Sequence, residues 1–161
     1  MQNEHEVVYR RAQLSDVPAL VACRLRFLNE LNSHAEDDEA RVVQESIRRY
    51  FTKAIPSGEF VAWVAELDGE LVATSGLVVW QQPARYGGVE SGRLGYLLNF
   101  YTVPEARRRG IATRLLTEII WEARSLGLRH LSLHASEAGE SIYRKAGFTE
   151  SSVRELTLRL E

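Results

Sequence analysis

The sequence predicts an α/β fold of the α+β kind: a mixed, mostly antiparallel central sheet flanked by helices. Three observations carry that reading. The runs FVAWVAEL and ELVATSGLVVW (60–67 and 70–80) are joined by Asp68 and Gly69, one of the strongest short-range hairpin signals. Strand, amphipathic helix and strand follow one another in parallel style around residues 96–135, and only there, which excludes a doubly wound sheet. Helical patterns precede the hairpin. A chain of 161 residues, 45% hydrophobic and 26% charged, has the size and balance of one globular domain spanning 1–161.

Residues 6–13 (EVVYRRAQ) read as a strand. Ser15 and Asp16 then supply an N-cap for a helix ending near Asn32, with Leu20, Cys23, Arg24, Phe27 and Leu31 on one face. A second helix is expected over 38–54, where Val42, Ile47, Tyr50 and Phe51 form its apolar side and Pro56 and Gly58 stop it. After the hairpin, PARYGGVESGR (83–93) is too rich in Gly and too polar for core. YLLNFYTV (96–103) is a dense apolar strand central to the sheet. The helix over 109–126 has Ile111, Leu115, Ile119 and Leu126 at helical spacing, with Gly127 at the C-cap position. RHLSLHA (129–135) is a strand, 139–145 a short helix closed by Gly147, and ELTLRL (155–160) a closing alternating strand.

Composition narrows the function classes. Twenty Lys plus Arg against 22 Asp plus Glu leave a net charge of −2, so nothing draws the whole chain towards nucleic acid or an anionic membrane. The lone Cys23 cannot form an internal disulfide and sits in an apolar helical pattern. There is no apolar run of membrane-spanning length, and MQNEHEVVYR lacks the build of a signal peptide, so a cytoplasmic location is expected. Four histidines and one cysteine show no metal-ligand spacing, and no GxSxG element marks a covalent nucleophile. Trp63, Trp80 and Trp121 are expected to be buried in the core or an interface.

Arg107, Arg108 and Arg109 stand directly before Gly110 and a helix start, where the macrodipole is positive and each cation costs about 0.3–1 kcal/mol. A helix start with orphan N–H groups after a tight Gly turn is an anion site, and a bound phosphate would reverse the sign of that cost. Solvated side chains that fold back along their stems are the other reading of the same residues. No GxxxxGK[ST] loop or GxGxxG fingerprint is present.

Val103, Pro104 and the run Arg107-Arg108-Arg109-Gly110-Ile111-Ala112 resemble the Q/R-x-x-G-x-G/A motif of the GCN5-related N-acetyltransferase (GNAT) superfamily. Ser136 to Tyr143, followed by Lys145, Gly147 and Phe148, is similar to the family's N-x-x-A-x-x-L-Y-x-x-x-G-F segment at the same distance behind. The order of elements agrees along nearly the whole chain.

The resemblance implies a GNAT-type acyl-CoA N-acyltransferase fold, with acetyl-CoA as co-substrate and no metal. The backbone N–H groups of Arg108, Arg109, Gly110, Ile111, Ala112 and Thr113 would cradle the pyrophosphate, with Arg107 at the Gln/Arg position. Tyr101, Thr102 and Val103 would run alongside pantetheine. Tyr143 would give a proton to the departing thiolate; without the motif, on helical spacing alone, it reads first as a packing residue. Ser136 replaces the usual Asn and Gly139 the usual Ala, so pantetheine contacts there would differ, although Ser136 keeps a donor and an acceptor.

The acceptor implied is a primary amine of a small molecule or a peptide, attacking the thioester in a ternary complex. His134 and Glu90 are candidate bases, though His134 alternates with Leu131 and Leu133 and reads first as a satisfied sheet histidine. His34 and the acidic run 36–39 lie in a connection that borders the acceptor site in this family, where acidic groups would suit a cationic amine. A CoA-binding GNAT-fold sensor without catalysis is the alternative. The alternating ELTLRL, placed at a sheet edge, would let two copies pair as a homodimer.

Overall fold

A computed structural model of the chain describes residues 6–31 and 37–160. Its centre is a five-stranded sheet in the order β1-β2-β3-β4-β5, formed by Val8–Arg11, Phe60–Leu67, Glu70–Gln81, Arg93–Thr102 and Leu131–Leu133. The first four strands pair antiparallel, and β4 with β5 is the parallel pair. Helices α1 (Val17–Leu31) and α2 (Asp37–Ser57) precede the β2–β3 hairpin. Helix α3 (Ile111–Ser125) crosses from β4 to β5, and α4 (Glu140–Lys145) follows.

β2 explains why FVAWVAEL does not alternate. Phe60, Ala62 and Val64 pack with Leu20, Val21, Phe51 and Ala54 of α1 and α2, whereas Val61 and Trp63 pack with α3 residues Leu116 and Ile119. A strand covered on both faces has no polar side to show. Gly76 on β3 is required by the same packing, because a Cβ there would stand 2.6 Å from the Phe60 ring. The hairpin turn has positive φ at both Asp68 (55°) and Gly69 (80°), as a two-residue type I′ turn demands.

Most boundaries fall within two residues of expectation, and three differences have physical causes. Helix α3 starts at Ile111 rather than Arg109, because Gly110 at φ +77° is a left-handed N-cap. Trp80 and Trp121 are largely exposed rather than buried, while the Trp63 indole donates to buried Glu122 at 3.1 Å. Residues 155–160 form no strand, and Leu156, Leu158 and Leu160 are 91%, 83% and 83% exposed. Alternation shows that a segment can pair but supplies no partner, and β5 offers an edge only three residues long. That edge borders a hollow of about 850 Å³ between β5, α4 and the C-terminal half of α3.

Candidate active site

The site begins where the parallel pair parts. β4 and β5 are in register from Gly95↔Leu131 to Leu97↔Leu133, after which β4 continues alone through residues 98–102. On its other side, β4 carries a bulge. Gly76 opposes Leu98 and Thr74 opposes Tyr101, so Ser75 faces both Asn99 and Phe100. Asn99 takes φ +58°, a conformation asparagine tolerates better than other non-glycine residues. The bulge sends its two residues opposite ways: Phe100 meets Tyr143 edge-on at 5.7 Å, while Asn99 joins the wall of a cavity under α1 and α2.

Beyond β4, Val103 N–H donates to Val72 O (2.9 Å), and Pro104–Ala106 makes one 3₁₀ turn. Arg108 at φ +59° and Gly110 at φ +77° then bend the chain into α3. The first helical bond runs from Arg114 N–H to Gly110 O (3.0 Å), which leaves the N–H groups of residues 111–113 without intrahelical acceptors. Those of residues 108–110 also find no acceptor among the described residues. A row of unused donors on the positive end of a helix, with open space around Gly110, is ready for an oxyanion.

The three arginines divide their work. Arg107 grips both oxygens of Glu30 on α1 (2.8 and 2.7 Å), and its Nε donates to Thr102 O (2.9 Å). The Tyr101 hydroxyl donates to the same carboxylate at 2.7 Å. These contacts hold Glu30 below the usual carboxylate range, the Tyr101 bond most and Arg107 next, and burial first and Glu30 second push Tyr101 up to about 12. Arg107 therefore ties the end of α1 to the end of β4. Arg108 and Arg109 are exposed and have no ion-pair partner among the described residues. They are the cations left for an incoming anion.

Tyr143 projects from α4. Ser136 O accepts from Gly139 and Glu140 N–H (3.0 Å each), and the Ser136 hydroxyl accepts from Gly139 at 3.3 Å, so Ser136 sets the entry to that helix. Gly139 has to be glycine or give way, since a Cβ would stand 3.2 Å from the Tyr143 ring and 3.3 Å from the Ser136 hydroxyl. Phe148 N–H returns to Tyr143 O (3.1 Å) and closes the helix at Gly147. Burial between Phe100 and Phe148 pushes the Tyr143 phenol up to about 12.

Of the acceptor-side residues read from sequence, His34 and Glu36 lie outside the described residues, and Asp37, Asp38 and Glu39 form the first turn of α2. Glu90 accepts from Gly88 N–H (3.2 Å) and faces Arg129 at 4.0 Å, before the starts of β4 and β5, at the opposite end from the splay. The structure does not bring it to Tyr143. His134 lies just past β5, where the sheet opens. Leu98 packs under α1 and α2, Tyr96 shares its face, and Tyr96 pairs with Ser132, which puts His134 on that face too. Its Nδ1 contacts the Tyr96 hydroxyl and its Nε2 the Glu155 carboxylate.

Sequence reasoning missed Glu30, Tyr96 and the pairing of Arg24 with Asn99 in one cavity. Arg24 on an otherwise apolar helix face and an asparagine in the middle of an apolar strand were the available signals.

A mostly antiparallel sheet that opens at its parallel pair, with a helix start carrying unused donors after the central strand, is the architecture of acyl-CoA N-acyltransferases. The chain belongs to the acetyltransferase (GNAT) family, whose model matches residues 26–148. A predicted acetyltransferase of Clostridium acetobutylicum, crystallised with acetyl-CoA, is 30% identical with a TM-score of 0.85, over 96% of each chain. A GCN5-related N-acetyltransferase of Ralstonia eutropha is 24% identical with a TM-score of 0.82, over 95% of this chain and 99% of that one. Glucosamine-6-phosphate N-acetyltransferase of Arabidopsis thaliana shares the fold at 18% identity and a TM-score of 0.70, over 95% and 98% of the chains. Among curated proteins no sequence match is found.

Proposed function

We propose that this protein moves the acetyl group of acetyl-CoA to a primary amine of a small molecule or peptide, by direct attack within a ternary complex. The observation that carries the reading is the run of unused N–H donors over residues 108–113 beside the open edge of β4, with Tyr143 across it. Arg108, Arg109 and those donors would hold the pyrophosphate, and residues 101–103 would lie along pantetheine, with Ser136 opposite. The bound thioester supplies an activated acyl group.

The chain's own chemistry is proton handling. The amine must be neutral to attack, and an ammonium of pKa near 10 has to lose a proton first. On the acceptor face, the Tyr96 hydroxyl can take that proton while passing its own to His134 Nδ1, with Glu155 steadying the imidazole through Nε2. As the C–N bond forms and the C–S bond breaks, sulfur takes the Tyr143 proton, and the proton leaving nitrogen restores the phenol. A phenol near 12 is fully protonated at neutral pH. Because a thiol has a pKa of about 8.5, the phenol acts chiefly by hydrogen-bonding the developing charge until the nitrogen proton arrives.

The test is thermal stability with acetyl-CoA, CoA, ATP and NAD, followed by acetyl transfer to an amine panel. Acetyl-CoA at about one hundred times its dissociation constant should add roughly 2.7 kcal/mol, with no effect of ATP or NAD. Tyr143→Phe should then lower kcat about 10²- to 10⁴-fold with little change in acetyl-CoA affinity. Stabilisation by CoA without transfer to any amine would favour a non-catalytic CoA-binding module, and no stabilisation would remove both readings.

A further inference from the structure

The cavity under α1 and α2 has a chemistry that its own residues leave unsatisfied. It measures about 260 Å³, and its floor is apolar, made by Ile47, Phe51 and Phe60. Arg24 of α1 and Asn99 of the β4 bulge supply polar groups to its wall, together with Ser46 and Tyr50 of α2. Arg24 is half-buried, yet its guanidinium has no carboxylate partner and no hydrogen bond among the described residues; it lies over the Phe27 ring, 5.5 Å from the ring centre. Burial lowers its pKa. Asn99 is only 3% exposed, and neither its amide nitrogen nor its amide oxygen has a partner among the described residues. Buried polar groups are almost always bonded, and leaving one unmade costs about 1–3 kcal/mol.

We propose that this cavity is the acceptor site and that the acceptor is a small amino carboxylate, its carboxylate held by Arg24 and its amine by the Asn99 amide oxygen. The assignment rests on the acetyl-transfer reading above and narrows it. The needs match group by group. A planar guanidinium presents paired donors that fit a carboxylate. The Asn99 Nδ2 is a further donor for the same anion, and its Oδ1 is an acceptor for an amine N–H. Asn99 is also adjacent in sequence to Phe100, the residue that meets Tyr143, so an amine on its oxygen sits at the bulge where the sheet opens. The cavity is smaller than the roughly 300–1,000 Å³ of drug-sized sites, which suits a molecule of amino-acid size. A diamine or polyamine would place a second cation beside the Arg24 guanidinium and be repelled.

The experiment compares matched pairs, an α-amino acid and its primary amide, across a panel of side chains, with a linear diamine alongside. Acetyl transfer is read as kcat/KM, and binding to the protein–CoA complex is read by calorimetry. The acid should be preferred about 10- to 100-fold in both readouts, the range of a charge-assisted bond. Arg24→Gln should collapse the preference to within about twofold through KM, and Arg24→Lys should recover part of it, while affinity for CoA itself stays unchanged. Asn99→Asp, which keeps the left-handed backbone, should also abolish acid binding.

Equal use of acid and amide, preference for the diamine, or a preference that survives Arg24→Gln would overturn the assignment and leave the transferase reading standing. Arg24-dependent binding of the acid without transfer would do the reverse.

Discussion

The two sides of the site are built from different materials. On the α3 side, the proposed recognition of acetyl-CoA rests on the backbone: unused N–H groups over residues 108–113, a left-handed Gly110, and two arginines that would only add charge. On the α1–α2 side the proposed recognition of the acceptor rests on side chains, Arg24 and Asn99, carried by a helix and a bulged strand. A backbone site serves a ligand that never changes, and a side-chain site can be re-specified one residue at a time. The same frame can thus keep its acyl donor while its acceptor differs.

The largest expected effect comes from disturbing the backbone side. Gly110→Glu puts a β-carbon at φ +77° and a carboxylate into the anion site, and should remove all of the roughly 2.7 kcal/mol gained from saturating acetyl-CoA in a melting experiment. Gly110→Ala is the control. Open space surrounds Gly110, so the methyl costs only the left-handed strain of about 1–2 kcal/mol and should keep the cofactor response. A variant with Glu that still responds would mean the phosphate is held elsewhere.

Side-chain removal on this side should do far less. Arg108→Ala and Arg109→Ala should each weaken acetyl-CoA binding a few-fold, more at low salt than at high, because exposed charges are screened over about 10 Å. A hundredfold loss from either, set against a small loss from Arg24→Gln with its own ligand, would invert the comparison.

The contrast also explains what could be read from the sequence. The backbone side is legible because its requirements are local. A strand, a Pro, an Arg-rich turn, a Gly and an amphipathic helix follow each other over residues 96–126, and the resemblance of 107–112 rests on them. The fold was legible for the same reason, through the Asp68-Gly69 turn and the periodicity of α3. The acceptor side was not. Arg24 and Asn99 lie 75 positions apart, and only the packing of α1 across β4 makes them neighbours. Arg107 shows the limit within one motif, since no spacing rule announces that Glu30 would claim it. The alternation of 155–160 likewise says nothing of a missing partner strand.

Gly139→Ala probes the hinge between the two sides. The added methyl at 3.2 Å from the Tyr143 ring and 3.3 Å from the Ser136 hydroxyl forces one of them to shift. Overpacking of this kind costs about 1–3 kcal/mol. The displacement of the phenol should lower kcat more than it raises KM for acetyl-CoA; a variant with wild-type kcat would show that Tyr143 tolerates being moved and is not positioned for chemistry.

The smallest effect tests whether the Arg107–Glu30–Tyr101 cluster belongs to stability rather than to binding. Glu30 is held below its ordinary value near 4.5, so its contribution is fully present above that pH and is lost as pH falls through the depressed folded value. With both side chains of the ion pair more than 40% exposed, solvent screening limits it to about 1 kcal/mol or less. Glu30→Gln should therefore melt slightly below the wild type at pH 7 and converge with it as pH falls through the depressed folded value, below which the wild-type carboxyl is itself neutral. Acetyl-CoA affinity supplies the second readout. If Arg107 serves only to tie α1 to β4, affinity at pH 7 should stay within about twofold; a clear rise would mean that releasing Arg107 from Glu30 hands a third cation to the phosphate, and the backbone side would then depend on side chains as well.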